Sequence, residues 1–439
     1  MQSRKIAALA GACLVASLVS SNLQAQVEIQ WWHSMSGALN DKVNEIANGF
    51  NASQKEYKVV PVYKGQYPES MTAAIAAYRA GNAPHILQVF EVGTATMMAA
   101  RGAIKPVYQM MKEAGEPFDT KSYLGPVAGY YTDSKGNMLS MPFNSSTTVF
   151  YVNKDALKKA GLSGDAPKTW KEFAAVAGKL KASGQQCVYT TGWPSWVHIE
   201  NFSAWHNLPI GTKENGIAGT DTKFTINSPQ HVRHIEMLAD FTKKGLFTYT
   251  ARKNEAEARF FSGECAMLTS SSGAQANIRR NAKFDFSVNF IPYHDDIKGA
   301  PQNSIIGGAS LWVMGGKKPA EYKGVTKFFS YLSTTPVQVQ WAEGTGYVPI
   351  TNAAFEAMKK EGYYEKVPGA DIAVRELMNK PATANSKGLR FGNFVQGREV
   401  IEEELEAVFA GKKAAKPALD DAVRRGNDIL RKFQAANKS

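Results

Sequence analysis

Strand-like and helix-like patterns alternate along the first part of the chain. β-branched and aromatic residues predict two strands, over 27–32 and 57–63. Apolar positions at helical spacing predict helices over 37–51 and 68–80, and a short apolar run predicts a buried strand over 86–90. This alternation favours an α/β fold with a largely parallel sheet.

The alternation continues to the carboxyl end. Thr169 and Glu172 form the signature of a capping box, which predicts a helix that begins after Thr169 and ends near Ala182. Further patterns predict strands over 149–152, 265–269, 286–290 and 305–314, and helices over 229–245, 320–333, 335–343, 353–360, 397–409 and 416–435. The last of these strands contains Gly307 and Gly308. Glycine within a strand indicates either a bulge or a close approach to the backbone, for example by a ligand.

Composition adds that the chain folds into more than one domain. Its 439 residues are 44% hydrophobic and 21% charged, which is typical of globular proteins, and the length exceeds that of one ordinary core. Three cysteines are too few for a disulfide scaffold. After the first 25 residues, no apolar run approaches the roughly 20 residues needed to span a bilayer.

The amino terminus has the pattern of a secretory signal peptide. Arg4 and Lys5 precede a small-apolar run over 6–19, and polar residues then lead to Ala25. We therefore expect export of the chain, with cleavage near Ala25. Loss of the two basic residues lowers the formal net charge from +12 to +10.

Export affects the interpretation of the cysteines and of the charge. In an oxidising compartment Cys187 and Cys265 would form a disulfide or remain two buried thiols, and the sequence leaves both possibilities open. The basic residues are spread along the chain and no nucleic-acid-binding motif occurs, so we expect no nucleic-acid partner. A mild positive field is compatible with a small anionic ligand.

Catalytic motifs are missing from the sequence. There is no phosphate-binding P-loop, dinucleotide-binding glycine pattern, nucleophile elbow or zinc-binding helix motif. His231 and His234 lie three apart on a predicted helix, where a solvated face is the simpler interpretation than a metal site. The consecutive carboxylates over 402–404 point in different directions and are also expected at the surface. We predict neither a cofactor nor a metal, and a binding protein rather than an enzyme.

One aromatic-rich segment remains ambiguous. Trp193, Trp196, His198 and Glu200 lie close together in the sequence. They would line a pocket or form a packed loop, and the pattern does not distinguish these alternatives.

Ten longer segments identify a family. They are WWHSMSG at 31–37, YKGQY at 63–67, GNAPHILQVFEVGTATMM at 81–98, FNSST at 143–147, NFSAW at 201–205, SSSGAQANIR at 270–279, PQNSIIGGASLWVM at 301–314, GTGYVPIT at 344–351, KGLRFGN at 387–393 and GKKAAKPALDDAVRRGNDIL at 411–430. With these segments the chain resembles, along essentially its whole length, the periplasmic sn-glycerol-3-phosphate-binding proteins of bacterial ABC importers. Thr148 departs from the pattern, because relatives often carry proline there.

The resemblance implies the fold and its division. We expect the two-lobe periplasmic binding protein fold of type II, the maltose-binding type, with a ligand cleft between lobes joined by a hinge. The expected boundaries are a signal peptide over 1–25, a first lobe over 26–143 and 273–333, and a second lobe over 144–272 and 334–439.

The resemblance also implies a ligand site. Its residues are Tyr67, Glu91, Ser146, Trp170, Ser271, Gly308, Tyr347 and Arg398, with Trp170 packed against the glycerol part of the ligand. The planar guanidinium of Arg398 suits a phosphate group. An ionised Glu91 only accepts hydrogen bonds, so we expect it at the diol end, away from the phosphate. These two residues together predict a cleft that is cationic at one end and anionic at the other.

The implied function is capture of sn-glycerol 3-phosphate in the periplasm. Glycerophosphodiesters such as glycerophosphocholine are second ligands, and the expected partners are inner-membrane ABC permease subunits with their cytoplasmic ATPase. One alternative is an oligosaccharide-binding protein of the same fold, which the 8 tryptophans and 17 tyrosines would suit. A secreted glycerophosphodiester hydrolase is another, and it would need a metal cluster or an acid/base pair.

Overall fold

The computed structural model describes residues 26–437, so the predicted signal peptide lies outside the described residues. Within them the strands are β1 (Val27–His33), β2 (Tyr57–Tyr63), β3 (Ile86–Phe90), β4 (Ile104–Lys105), β5 (Met141–Ser146), β6 (Thr148–Asn153), β7 (Cys187–Thr191), β8 (Cys265–Ser271), β9 (Phe286–Asn289) and β10 (Gly307–Met314). The helices are α1 (Ala38–Ser53), α2 (Tyr67–Arg79), α3 (Thr94–Ala99), α4 (Val107–Glu113), α5 (Gly125–Tyr131), α6 (Lys154–Lys159), α7 (Trp170–Ala182), α8 (Phe202–Trp205), α9 (Thr212–Asn215), α10 (Pro229–Lys243), α11 (Ala256–Phe261), α12 (Gln275–Asn281), α13 (Pro319–Leu332), α14 (Thr335–Thr345), α15 (Asn352–Lys360), α16 (Tyr363–Lys366), α17 (Ile372–Leu377), α18 (Phe394–Phe409) and α19 (Ala415–Ala436). None of the helices in this range is long and apolar enough to cross a membrane.

The first lobe is built on a six-stranded sheet. Its order is β2-β1-β3-β10-β4, and β5 also pairs with β10. Strands β1, β2 and β3 are parallel, as their alternation with α1 and α2 predicts. Trp31 on β1 is fully buried and contacts Phe143 on β5 and Phe328 on α13, with ring centroids 5.1 Å and 5.4 Å away. These aromatic contacts join the sheet to the helical layer.

The second lobe is built on a four-stranded sheet in the order β7-β8-β6-β9. Helices α10, α18 and α19 pack against one another beside it. The capping box at Thr169 and Glu172 is present at the start of α7, as predicted. Cys187 on β7 and Cys265 on β8 are register partners and form a disulfide, so the disulfide is the alternative found in the structure.

The expectation of a largely parallel arrangement is wrong for five of the eight strand pairings. Strand β10 runs antiparallel to β3, β4 and β5, and β6 runs antiparallel to β8 and β9. The cause is the path of the chain. Strands β5 and β6 follow one another directly but belong to different sheets, and β10 brings the chain back to the first sheet.

The crossings between the lobes lie side by side. Thr147 separates β5 from β6, and residues 304–306 lead from the second lobe into β10. The Thr147 hydroxyl lies 2.7 Å from Ser304 Oγ and 3.0 Å from the carbonyl oxygen of Ile305. All three residues are buried, so the two crossings form one hydrogen-bonded junction between the lobes.

Sheet membership departs from the expected lobe boundaries in two places. Strand β9 lies within 273–333, which was expected in the first lobe, yet it pairs with β6 of the second sheet. Helices α14 and α15 lie within 334–439, which was expected in the second lobe, yet α14 packs on α1 and α13. The family patterns do not mark where the chain changes sheets. We propose a first lobe over 26–146 and 307–360, and a second lobe over 148–304 and 367–437.

Two groups of residues expected at the surface are buried. His231 and His234 on α10 are 0% and 1% exposed, and Glu402 and Glu404 on α18 are 7% and 6% exposed. Their helices are covered on more than one side by the packing of α10, α18 and α19. The surface positions predicted for these residues are therefore wrong, because polar residues close together in the sequence do not by themselves indicate an exposed helix face.

Candidate ligand-binding cleft

A cavity of about 700 Å³, including space open to solvent, lies between the two lobes. Seven of the eight residues predicted for the ligand site line it: Tyr67, Glu91, Ser146, Ser271, Gly308, Tyr347 and Arg398. The first lobe contributes the ends of β3 and β5, the start of α2 and the start of β10. The second lobe contributes the end of β8 and the first part of α18.

Trp170 does not line this cavity. It is the first residue of α7 and is buried inside the second lobe, where its ring lies 5.1 Å from Phe173 and 5.2 Å from His234. Trp193 and Trp196 line the cavity instead. The pocket was therefore the correct alternative for these two tryptophans. Trp193 also has a φ of 51°, a left-handed conformation that is rare for a bulky residue and typical of functional sites.

The two glycines of β10 make room for protein groups. A Cβ atom on Gly307 would lie 2.3 Å from the ring of Trp196. Gly308 has a φ of 94°, and a Cβ atom there would lie 1.9 Å from the carbonyl oxygen of Asn144. Protein groups thus approach the backbone closely at both glycines, and contact between Gly308 and a ligand stays a prediction. The register also shifts next to them, between Ala309 and Ser310, so a bulge is present as well.

Hydrogen bonds fix the hydroxyl of Tyr67 at the cavity wall. The Tyr67 ring stacks on Phe90, with centroids 5.1 Å apart and an interplanar angle of 8°. Asn144 Nδ2 donates to Tyr67 Oη at 2.9 Å, and Gln88 Nε2 donates to Asn144 Oδ1 at 2.7 Å. Tyr67 Oη accepts from Asn144 and lies beside the Tyr347 hydroxyl, so the two phenols present their O–H groups together at the cavity wall.

Tyr347 is held mainly by its ring, and its hydroxyl lies 3.9 Å from Met35 Sδ. Its ring stacks on Trp341 at 5.7 Å and contacts the backbone of Gly273 from the second lobe. Burial raises the pKa of Tyr347 above its ordinary value, so the phenol stays neutral. Ser271 Oγ accepts a hydrogen bond from the Gly273 N–H at 3.1 Å, which leaves the Ser271 hydroxyl proton free to donate.

Arg398 lies between two carboxylates. Its Nε and Nη2 donate to Glu200 at 2.9 Å and 2.6 Å, and Nη2 also lies 2.6 Å from Glu91 Oε1. All three side chains are buried. Burial raises the pKa of Glu91, and the nearby Arg398 charge opposes this effect. Glu91 comes from the first lobe, whereas Glu200 and Arg398 come from the second.

The predicted separation of charges is therefore wrong. Glu91 and Arg398 are in direct contact and do not occupy opposite ends of the cleft. Glu200 makes two of the three bonds to Arg398, although it lies 198 residues away in the sequence. In the sequence, the only indication of a role for Glu200 was its position close to Trp196. No local pattern indicated that Glu200 would pair with Arg398. Among the described residues, Arg398 Nη1 makes no hydrogen bond.

Two further donors were missed by the sequence prediction or left open in it. Ser34 Oγ and Trp196 Nε1 are buried and have no hydrogen-bond partner among residues 26–437, and both residues line the cavity. Buried polar groups are normally paired, so these atoms are available to a bound molecule. In the same part of the chain, no group of three or more histidine, cysteine, aspartate or glutamate side chains is arranged to hold a metal ion.

The fold and the cleft define a two-lobed solute-binding protein. The chain belongs to the bacterial extracellular solute-binding proteins, whose family model matches residues 45–368. It is 54% identical to the sn-glycerol-3-phosphate-binding periplasmic protein UgpB of Pectobacterium atrosepticum, over 98% of this chain and 97% of that protein. UgpB of Escherichia coli strain 536 is 52% identical, over 98% of each chain.

A solved structure has the same fold. UgpB from Mycobacterium tuberculosis in complex with glycerophosphocholine aligns with a TM-score of 0.77, over 92% of this chain and 98% of that chain. Its sequence identity is 20%, so this similarity supports the architecture alone. The two-lobe fold expected from the sequence is thus confirmed.

Proposed function

We propose that this chain is the substrate-binding component of an ABC importer and that it captures sn-glycerol 3-phosphate in the periplasm. Glycerophosphodiesters such as glycerophosphocholine are its second ligands, and inner-membrane permease subunits with a cytoplasmic ATPase receive the cargo. The observation that carries the proposal is that seven family ligand positions line one cavity between the lobes. Relatives more than half identical over nearly their whole length bear the name of the same ligand.

The donor set of the cavity suits a phosphate ester with free hydroxyl groups. Tyr67, Tyr347 and Ser271 offer neutral O–H donors to phosphate oxygens, which accept several hydrogen bonds each. Glu91 offers a carboxylate that accepts from the hydroxyls of glycerol. Arg398 Nη1 supplies a charged donor, although the adjacent carboxylates reduce the net charge around it.

Closure of the lobes follows from the same contacts. Glu91 and Tyr67 belong to the first lobe, and Ser271 and Arg398 to the second. A ligand that bonds both sets stabilises the closed form, since only contacts that improve on closure shift the equilibrium. The permease then recognises the closed protein, and we assign no catalytic step to this chain.

Calorimetric titration tests the proposal. We expect sn-glycerol 3-phosphate to bind most tightly, glycerophosphocholine to bind measurably, and inorganic phosphate and maltotriose to bind at least 100-fold more weakly, about 2.7 kcal/mol. Preferential binding of maltotriose would establish the oligosaccharide alternative instead. Release of free choline from glycerophosphocholine during incubation would indicate a hydrolase.

A matched pair of tyrosine variants tests the site itself. Tyr347→Phe removes one donor at the cavity and should weaken sn-glycerol 3-phosphate binding about tenfold, as for a hydrogen bond to a charged group. Tyr123→Phe is the control, because Tyr123 is equally buried but its hydroxyl lies at Met141 Sδ in the first lobe, away from the cleft. Equal affinities for the two variants would remove Tyr347 from the proposed site.

A further inference from the structure

Glu257 is a buried carboxyl group at the cavity that has no cationic partner. It lies on α11 of the second lobe, is 5% exposed and lines the cavity. Ser270 Oγ donates to its Oε1 at 2.9 Å. No lysine, arginine or histidine among the described residues forms an ion pair with it. The second oxygen, Oε2, makes no hydrogen bond to the described residues, which leaves it for the cavity.

The groups around Glu257 do not favour its ionised form. Tyr151 on β6 and Tyr347 from the first lobe are neutral phenols, and Glu255 at the start of α11 is a further carboxylate. Arg279 on α12 donates instead to Gln275. Burial raises the pKa of Glu257 to about 8, the Ser270 hydrogen bond opposes the shift, and Glu255 adds to it.

Neighbouring cations that could face Glu257 are already paired. Lys253 lies one turn before it and binds Glu69 at 2.7 Å, and Arg259 on the same helix binds Glu264. The cavity cation Arg398 is shared by Glu91 and Glu200. An ionised Glu257 would therefore add an uncompensated negative charge to a cavity that receives an anion, at a large electrostatic cost.

We propose that Glu257 binds the ligand as a protonated carboxylic acid, donating from Oε2 to an anionic phosphate oxygen. This proposal rests on the proposed function and names one more residue that determines its specificity. A carboxylic acid supplies a short, strong O–H···O⁻ hydrogen bond without requiring a counter-charge. While Oε2 donates to the ligand, Oε1 continues to accept the hydrogen bond from Ser270.

A pH dependence follows from linkage. The phosphate monoester is fully dianionic above about pH 7, so the ligand does not titrate at alkaline pH. A bound anion stabilises the protonated form of Glu257, and a proton on Glu257 equally stabilises the bound anion. Affinity is then constant near pH 7 and falls by up to about tenfold per pH unit once free Glu257 loses its proton.

The test is calorimetric titration with sn-glycerol 3-phosphate from pH 7.0 to 9.5. We expect wild-type affinity to fall about tenfold or more over this range, with proton uptake on binding at the alkaline end. Glu257→Gln keeps an uncharged donor and an acceptor for Ser270. It should bind more weakly than wild type at pH 7, because an amide N–H is a weaker donor than a carboxylic acid, but its affinity should stay constant to pH 9.5.

Glu402→Gln is the matched control. Glu402 is also buried and its pKa is also raised to about 8, but it does not line the cavity. This variant should keep the wild-type pH profile. A constant wild-type affinity, or a profile unchanged by Glu257→Gln but removed by Glu402→Gln, overturns the proposal.

An infrared measurement separates this proposal from the proposed function. The difference spectrum of wild type minus Glu257→Gln, without ligand at pH 7, should contain the C=O stretch of a protonated carboxyl group. An ionised carboxylate band in its place overturns the inference about Glu257, while binding of sn-glycerol 3-phosphate at pH 7 would still support the proposed function. Absence of that binding would reject the proposed function itself.

Discussion

Two polar clusters differ in how their ionisable side chains are stabilised away from water. The arginine cluster, Arg398 with Glu91 and Glu200, keeps its charges and pairs them across the cleft. The histidine cluster lies in the second lobe and consists of the buried His198, His206, His231 and His234 and the half-buried His294. In it, His198 Nδ1 lies 3.1 Å from His234 Nε2, and His234 Nδ1 lies 3.2 Å from His294 Nε2.

The difference lies in which charge state burial permits. The arginine is fully charged because two carboxylates compensate it. Burial lowers the pKa of His198 to about 3 and that of His294 to about 4, so the histidines are neutral near pH 7 and pair by hydrogen bonds. The charged cluster spans both lobes, so its ion pairs stabilise the contact between them. The neutral cluster lies within one lobe, so its hydrogen bonds stabilise that lobe alone.

Among the variants that test this difference, Arg398→Ala should have the largest effect on stability and on ligand affinity. It leaves Glu91 and Glu200 buried without their counter-charge, and removal of one partner from a buried ion pair costs about 3–5 kcal/mol. We expect this loss of unfolding free energy in urea titrations, together with a loss of sn-glycerol 3-phosphate affinity of about 100-fold or more. Wild-type affinity in calorimetry would show that the arginine cluster is structural only.

His198→Gln tests the neutral cluster through pH. The folded pKa of His198 is about 3 and the unfolded pKa is near 6.5, so between these values the unfolded chain binds the extra proton. His198 therefore contributes stability above pH 6.5 that is lost as the pH falls. From pH 6.5 to 4.5, the unfolding free energy of wild type should drop by about 2–3 kcal/mol more than that of His198→Gln.

Glu257 should affect the pH dependence of the unfolding free energy with the opposite sign. Glu257 has a folded pKa of about 8, above its unfolded value of 4.5, so its contribution to stability grows as the pH falls from 8 towards 4.5. In the same urea titrations, Glu257→Gln should therefore shift the pH dependence in the direction opposite to His198→Gln. Shifts of the same sign would contradict the assignment of charge states in the two regions.

Two tryptophans give the smallest expected effect and distinguish the cleft from the lobe interior. Trp196→Phe removes an unpartnered N–H at the cavity and should weaken ligand binding several-fold, about 1 kcal/mol. Trp170→Phe alters only the packing beside Phe173 and His234, so it should lower stability by about 1 kcal/mol and leave affinity unchanged. Calorimetry measures the affinity of both variants, and urea titration measures their stability. A loss of affinity only in Trp170→Phe would contradict the assignment of Trp196 to the cleft and Trp170 to the lobe interior.

Much of this architecture could be predicted because its signals are local. Helices α7, α10 and α13 occur within two residues of the predicted limits, since capping residues and apolar spacing act over short distances. Sheet direction was harder to predict. A crossing such as Thr147 leaves no mark in the hydrophobic pattern, because the strands on either side of it are buried along their whole length.

The candidate site divides in the same way. Tyr67, Ser271 and Tyr347 lie in distinctive sequence segments and reach the cavity as expected. Trp170 does not, because one aromatic residue at a helix start looks the same whether it packs inside a lobe or faces a ligand. Glu257 offered no motif, and only its burial without a cation makes it chemically distinctive.

The sequence by itself determined the order of strands and helices, the pattern of an export signal and the family positions that meet at the cavity. The tertiary structure alone decided which charges touch. Arg398 meets Glu200 and Glu91 across separations of 198 and 307 residues, and five histidines that span positions 198 to 294 come together in the second lobe. The physical reason is that burial and pairing set the charge state of a side chain, and both depend on neighbours distant in the sequence.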